Sequence, residues 1–189
     1  LQFNNPGKAG DIVDVELELP AGVLNVSALS YISLATYNGA TFNNDRTSIN
    51  NLLNVQLLGG NRFRASVTAG ANFDRVEVRL GGLATLLTSL DIYQASYRYK
   101  AAAITGNDPI CTGTSTTLTA GLAVGETAAW YDAPTGGTLL ASTAAYATPL
   151  LTADTTYYLQ VTRNGCVNSE RQPVLVPVVT PVAPVLTAV

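Results

Sequence analysis

The chain has 189 residues, of which 47% are hydrophobic and 12% charged, and its 10 Lys and Arg against 13 Asp and Glu leave a net charge of −3. It contains no His, which excludes Ser-His-Asp and Cys-His relays, imidazole metal ligands and imidazole proton shuttles. No run of Lys and Arg marks a nucleic-acid or anionic-membrane footprint, and no stretch reaches the about 20 apolar residues of a membrane-spanning helix.

Residues 10–20 (GDIVDVELELP) alternate with period two. Val13, Val15, Leu17 and Leu19 share one face, and Asp14, Glu16 and Glu18 share the other, which predicts a half-buried strand with a solvated acidic row. Residues 32–37 and 40–42 flank Asn38-Gly39, a strong short-range signal for a tight hairpin. Residues 43–48 (NNDRTS) are turn formers. Residues 49–58 fit either one or two helical turns or a strand.

Alternation returns at 62–67, with Phe63, Ala65 and Val67 facing inward, and again at 73–80, where Val76, Val78 and Leu80 oppose Arg75, Glu77 and Arg79. Residues 91–100 close the module, with Tyr93, Ala95, Tyr97 and Tyr99 on one face. About seven short strands with polar turns predict an antiparallel sandwich or jelly roll over residues 1–103.

Residues 101–109 (AAAITGNDP) are small and turn-rich, and 104–109 read as a linker. Composition changes across it. All four Phe precede it, the one Trp and both Cys follow it, and the charges shift from eight basic and eight acidic over residues 1–100 to two and five over the rest. Strand candidates then fall at 114–120, 127–132, 137–141, 155–162 and 174–179, with turn signals every 8 to 12 positions and a Trp on an early central strand. That pattern predicts a small Ig-like sandwich over 110–180, and the Pro-spaced tail 181–189 reads as an extended connector. The fold class is therefore all-β, with two β-sandwich domains in tandem. The start at Leu1, without Met or a basic and apolar leader, reads as that of a mature or excised piece of a longer protein.

In the second module Ile110-Cys111-Thr112-Gly113, Trp130-Tyr131-Asp132-Ala133-Pro134-Thr135-Gly136-Gly137, Thr155-Thr156-Tyr157-Tyr158 and Asn164-Gly165-Cys166 occur in that order. The set resembles a bacterial Ig-like repeat found in arrays within large surface and secreted proteins exported by the type IX route, including gliding adhesins and polysaccharide-degrading enzymes. The likeness covers about residues 108–180. Phe73-Asp74-Arg75-Val76-Glu77-Val78, Gly81-Gly82 and Asp91-Ile92-Tyr93 give the first module a looser likeness to a jelly-roll domain that often precedes such repeats, and no ligand residues transfer with it.

Cys111 and Cys166 are 55 positions apart. In an exported protein such a pair is most simply a disulfide, worth about 4 kcal/mol by the chain-entropy argument, with two unbridged thiols as the alternative. Asn43, Asn44, Asp45 and Arg46 could bind a sugar or Ca²⁺, or simply form a turn. Asn107 and Asp108 are weak Ca²⁺ candidates; no other metal or cofactor is expected. The acidic row has a spacing that glycosidases use but nothing to raise a general acid's pKa, so no catalytic residue is assigned. Tyr93, Tyr97 and Tyr99 read as a sugar-stacking platform or as packing, Trp130 as a core pin, and Asp154-Thr155-Thr156 resembles a bacterial O-glycosylation acceptor.

The expected protein is a non-enzymatic segment of a secreted or cell-surface, outer-membrane-attached protein, acting in adhesion or as a spacer. Its expected partner is a surface glycan or another cell-surface protein, with no nucleic acid and no membrane insertion, and the segment itself is expected to be monomeric. The second reading is a carbohydrate-binding module accessory to a polysaccharide-degrading enzyme.

Overall fold

The computed structural model describes residues 1–49, 54–81 and 89–180. It is nearly all-β, and it divides into two compact units, Leu1–Lys100 and Ala101–Val189. The ambiguous segment 49–58 yields β6 (Val55–Gly59); residues 50–53, Gly82 and the 181–189 connector lie outside the described residues.

In the first unit β1 (Gln2–Gly7), β3 (Ile32–Asn38), β4 (Thr41–Phe42), β5 (Thr47–Ser48) and β8 (Phe73–Leu80) form one sheet, ordered β1-β8-β3-β4 with β5 also on β3. The other sheet is ordered β6-β7-β2-β9, with β2 (Ile12–Glu18), β7 (Arg62–Thr68) and β9 (Asp91–Arg98). The period-two pattern explains why two sheets form. Val13, Val15, Leu17, Phe63, Ala65 and Val67 from one sheet meet Ile32, Leu34, Phe73 and Val76 from the other in a common core. Burial at about 25 cal/mol per Å² of apolar surface is the main favourable term for such a layer pair. The hairpin signal is realised by Asn38 pairing with Thr41 across Gly39 and Ala40, where Gly39 has a φ of 59°.

In the second unit β10 (Ala103–Thr105), β12 (Thr117–Gly121) and β15 (Ala145–Ala147) form one sheet. The second sheet is ordered β14 (Leu139–Ala141), β13 (Glu126–Tyr131), β16 (Thr155–Arg163) and β17 (Cys166–Val167), with β18 (Gln172–Val176) also on β16. A short parallel pair joins β11 (Ile110–Cys111) to β19 (Val178–Val179). Residues 104 and 105, assigned to the linker from composition, lie within β10 and pair with Ala120 and Thr119. Gly106 follows at a φ of 82° with the Thr117 carbonyl where a Cβ would stand, so backbone contact as well as turn chemistry requires glycine there.

Trp130 is fully buried and stacks on Tyr146 at 6.2 Å, and Tyr146 meets Tyr157 edge-on at 5.2 Å. These rings come from β13, β15 and β16, so they tie the two sheets together, as expected of a core pin.

Candidate functional site

Residues 43–45 build a turn from which Arg46 reaches onto the neighbouring sheet. Asp45 accepts hydrogen bonds from the Thr36 amide at 2.8 Å, from the Thr36 hydroxyl and from the Gly70 amide at 3.0 Å. Asn43 donates to Thr36 Oγ1 and to the Asn72 carbonyl. Asn44 takes a φ of 57°, one of the few left-handed positions that Asn tolerates. These three residues build the turn. Carboxylate oxygens already facing N–H and O–H donors are poorly disposed to ligate Ca²⁺.

Arg46 projects onto the outer face of the β3–β8 sheet. Its Nη1 donates to Ser33 Oγ at 3.3 Å, and its Nη2 donates to Tyr37 Oη at 3.3 Å and to Glu77 Oε2 at 3.1 Å. Glu77 also accepts from Tyr37 Oη at 2.5 Å and from Arg79 Nε at 2.9 Å. The Tyr37 hydrogen bond, followed by those from Arg46 and Arg79, holds the Glu77 carboxyl below its ordinary range, while the same bond raises Tyr37. Phe42 lies 5.4 Å from the Tyr37 ring and 5.4 Å from the Arg46 guanidinium, and is exposed. Arg75, beside Tyr37 in register, sits 3.7 Å from Asp74, whose other contact holds the Gly39 amide. An aromatic pair, three guanidiniums and the Glu77 carboxylate thus share one sheet face, with Asp74 beside Arg75 at its hairpin end.

The outer face of β2 corrects the expectation of a solvated acidic row. Asp14 is buried and accepts from Arg98 Nε at 2.7 Å and Ser66 Oγ at 2.6 Å, and Glu16 accepts from Arg64 at 2.8 Å. The flanking strands place long cationic side chains over each carboxylate, and bonds from Arg64 and Gln94 lower the Glu16 pKa. A general acid needs the opposite shift. A recess of about 270 Å³ beside Ser66 and Arg98 is also lined by Ile12, Thr47, Asn54 and Thr68.

Of the two readings of the three tyrosines, packing holds for Tyr97 and Tyr99, and Tyr93 departs from their shared face. A register shift between Glu16 and Leu17 in the β2–β9 pairing breaks the alternation of β9. Tyr93 points outward, donates to Glu18 at 2.5 Å and carries Arg62 over its ring at 3.7 Å. Tyr97 instead packs edge-on against Phe3 and Phe73 at 5.3 and 5.4 Å, and Tyr99 is buried. Alternation counted from the sequence missed this because a bulge leaves no residue-type signature here.

In the second unit the two cysteines do not form the expected bridge; each is an exposed thiol. Cys111 pairs with Val179 beyond the Thr155 end of β16, and Cys166 pairs with Arg163 at the other end. The eight steps of β16 between those ends, at about 3.3 Å each, separate them by about 26 Å. A disulfide needs Cα atoms within about 7 Å. Asn107 is half-buried and Asp108 exposed; among the described residues no cluster of three or more His, Cys, Asp or Glu could hold a metal. Asp154 and Thr155 are occupied locally, by the Val178 amide and the Ala153 carbonyl.

The motif residues of this unit are largely structural. Arg171 lies 3.4 Å over the Tyr131 ring and donates to the carbonyls of Ala133 and Gly136, while Asp132 accepts from the Thr138 amide. The Trp-Tyr-Asp-Ala-Pro-Thr-Gly-Gly string is therefore a strand end and its clamped turn. Residues 100–181 match the family described as "Ig-like domain CHU_C associated". The second unit is an Ig-like domain. Among solved structures, the adhesin domain of Epf from Streptococcus pyogenes aligns at 10% identity with a TM-score of 0.30, covering 94% of this chain and 70% of that one, an overlap too loose to carry fold or function across. No curated protein matches the chain.

Proposed function

We propose that the chain is a non-enzymatic segment of a larger secreted or cell-surface bacterial protein, in which the Ig-like unit acts as a spacer and the first unit presents an adhesive face. The observation that carries this reading is the Ig-like unit's through-path. The chain enters at β10 against Gly121, near the turn that hydrogen-bonds to the Arg163–Gly165 end of β16, and leaves at β19 beyond its Thr155 end. A module entered and left at opposite ends extends an array.

The described side chains add support. The carboxylates of β2 and Glu77 are ion-paired, and the pKa values of Glu16 and Glu77 are shifted downward, away from general acid work. The second reading, a sugar-binding module beside a catalytic domain, draws on the exposed Phe42 and Tyr93, although these stand on opposite sheets rather than in one line.

Export by the type IX route and outer-membrane attachment belong to the same proposal. Protease shaving and fractionation of producing cells test it: the protein should be cleaved on intact cells or recovered from medium. Retention in the cytoplasm overturns it. Beads coated with the 189-residue chain should adhere to cells or matrix above uncoated beads if the first unit is adhesive.

A further inference from the structure

The outer face of β3, β4 and β8 carries an unusual combination for a sheet surface. Outward side chains on β8 are Arg75, Glu77 and Arg79, and those on β3 are Ser33, Ala35 and Tyr37. Phe42 adds an exposed ring at the hairpin, paired with Tyr37 across the strands. Arg46 reaches in from the turn, lies over the Phe42 ring and donates to the Tyr37 hydroxyl, with Glu77 between it and Arg79.

The charge is unbalanced. Arg46, Arg75 and Arg79 face Asp74 and Glu77. Asp45, next to Arg46 in sequence, turns its oxygens to the inward-facing Thr36 and to Gly70, so it does not complete the balance on this face. The two exposed guanidiniums, Arg75 and Arg79, have side chains 46% and 59% exposed. A ring with a free apolar surface beside surplus guanidiniums fits a ligand with a C–H face and a carboxylate together.

A protein partner fits less well. Protein interfaces are depleted of charge at their cores and enriched in apolar and aromatic area. Here Phe42 is the one large apolar side chain exposed on this face among the described residues of the three strands, and the Arg46 guanidinium lies against its ring.

We infer that this face binds an acidic polysaccharide, with the exposed Phe42 stacking against a uronate ring and the two exposed guanidiniums, Arg75 and Arg79, taking its carboxylate, while Glu77 and Tyr37 hold Arg46 against the Phe42 ring. The inference rests on the adhesive reading and names its ligand class. Neutral sugar chains lack the carboxylate and use only half of the site.

The test is affinity electrophoresis and calorimetry of the full chain with polygalacturonate and alginate at 150 mM salt, with dextran and poly-L-glutamate as controls. Binding is expected to the polyuronates, at least 10-fold weaker to both controls. F42A and the R75A/R79A pair should each lower polyuronate affinity at least 10-fold, and Q56A on the opposite sheet should not; circular dichroism verifies that each variant is folded. Equal binding to poly-L-glutamate reduces the site to charge alone and overturns the inference, as does equal binding to dextran, full affinity in folded F42A, or no polyuronate binding. Beads that still adhere to cells without any polyuronate affinity would overturn this ligand assignment and leave the adhesive reading standing.

Discussion

Arg163 donates twice to a single oxygen of Glu126, from Nε at 2.9 Å and Nη2 at 2.8 Å, and both side chains are nearly withdrawn from water. The other Glu126 oxygen accepts from the Ala123 amide, so the pair also closes the turn before β13. Removing one partner of a buried pair strands the other charge, at a cost of about 3–5 kcal/mol. E126A should therefore lower the melting temperature of the Ig-like unit well below its native value. Trp130 is the one tryptophan of the chain and lies in that unit, so its fluorescence isolates the transition. An unchanged midpoint would show that the pair contributes nothing.

The separation of Cys111 and Cys166 sets a second expectation. Each thiol is exposed at its own end of the Ig-like unit. Native maleimide labelling should add two labels, and the intact mass should be that of the dithiol. A mass two hydrogens lower in a monomer would contradict the strand register that holds the two residues apart.

Tyr157 is buried on β16, and its pKa is pushed up to about 12, first by burial and then by Tyr146. The unfolded phenol has a value of 10.0. A raised folded pKa means that stability is fully present below pH 10 and is lost as pH climbs from there toward 12, because the unfolded chain ionises first. Denaturant midpoints of the Ig-like unit should fall across that window in the native protein and fall less in Y157F. A parallel decline in Y157F would place the alkaline lability elsewhere.

Asp45 is the anchor of the 43–46 turn. D45A leaves the Thr36 amide and hydroxyl and the Gly70 amide without their acceptor, and Thr36 is fully buried. An unsatisfied buried donor costs about 1–3 kcal/mol, so the first unit should lose at least that much in urea unfolding. Because the same oxygens already face donors, millimolar Ca²⁺ should leave the melting temperature of the native chain unchanged. A calcium-dependent rise would assign a cation to the turn after all.

The β-class, the inward residues of β2 and β7, Val76 on β8, the hairpin at Asn38-Gly39, the Trp130 pin and the Ig-like unit were legible because each depends on period-two alternation, local turn chemistry or a dense ordered motif, whereas Leu80, expected inward on β8, is exposed at the strand's end. Alternation assigns faces without reference to partners, and so it worked wherever a strand stays regular. It failed at β9, where the register shift turns Tyr93 outward while Tyr97 remains in the core.

Interactions between distant segments lay beyond that reach. Asp14, Glu16 and Glu18 were placed correctly on an outward face, yet only the neighbouring strands reveal that arginines 48 to 84 positions away cover and pair with Asp14 and Glu16. The same reason explains Cys111 and Cys166. An even cysteine count says that a bridge is affordable, whereas the nine-residue strand between their ends decides that they stay about 26 Å apart. The sequence by itself determined that the chain lacks imidazole chemistry, folds as β-strands and carries an Ig-like second unit. Tertiary structure alone decided which charges meet on each sheet face, because side-chain pairing across strands depends on register, and register follows from the packing of whole sheets rather than from any local run of residues.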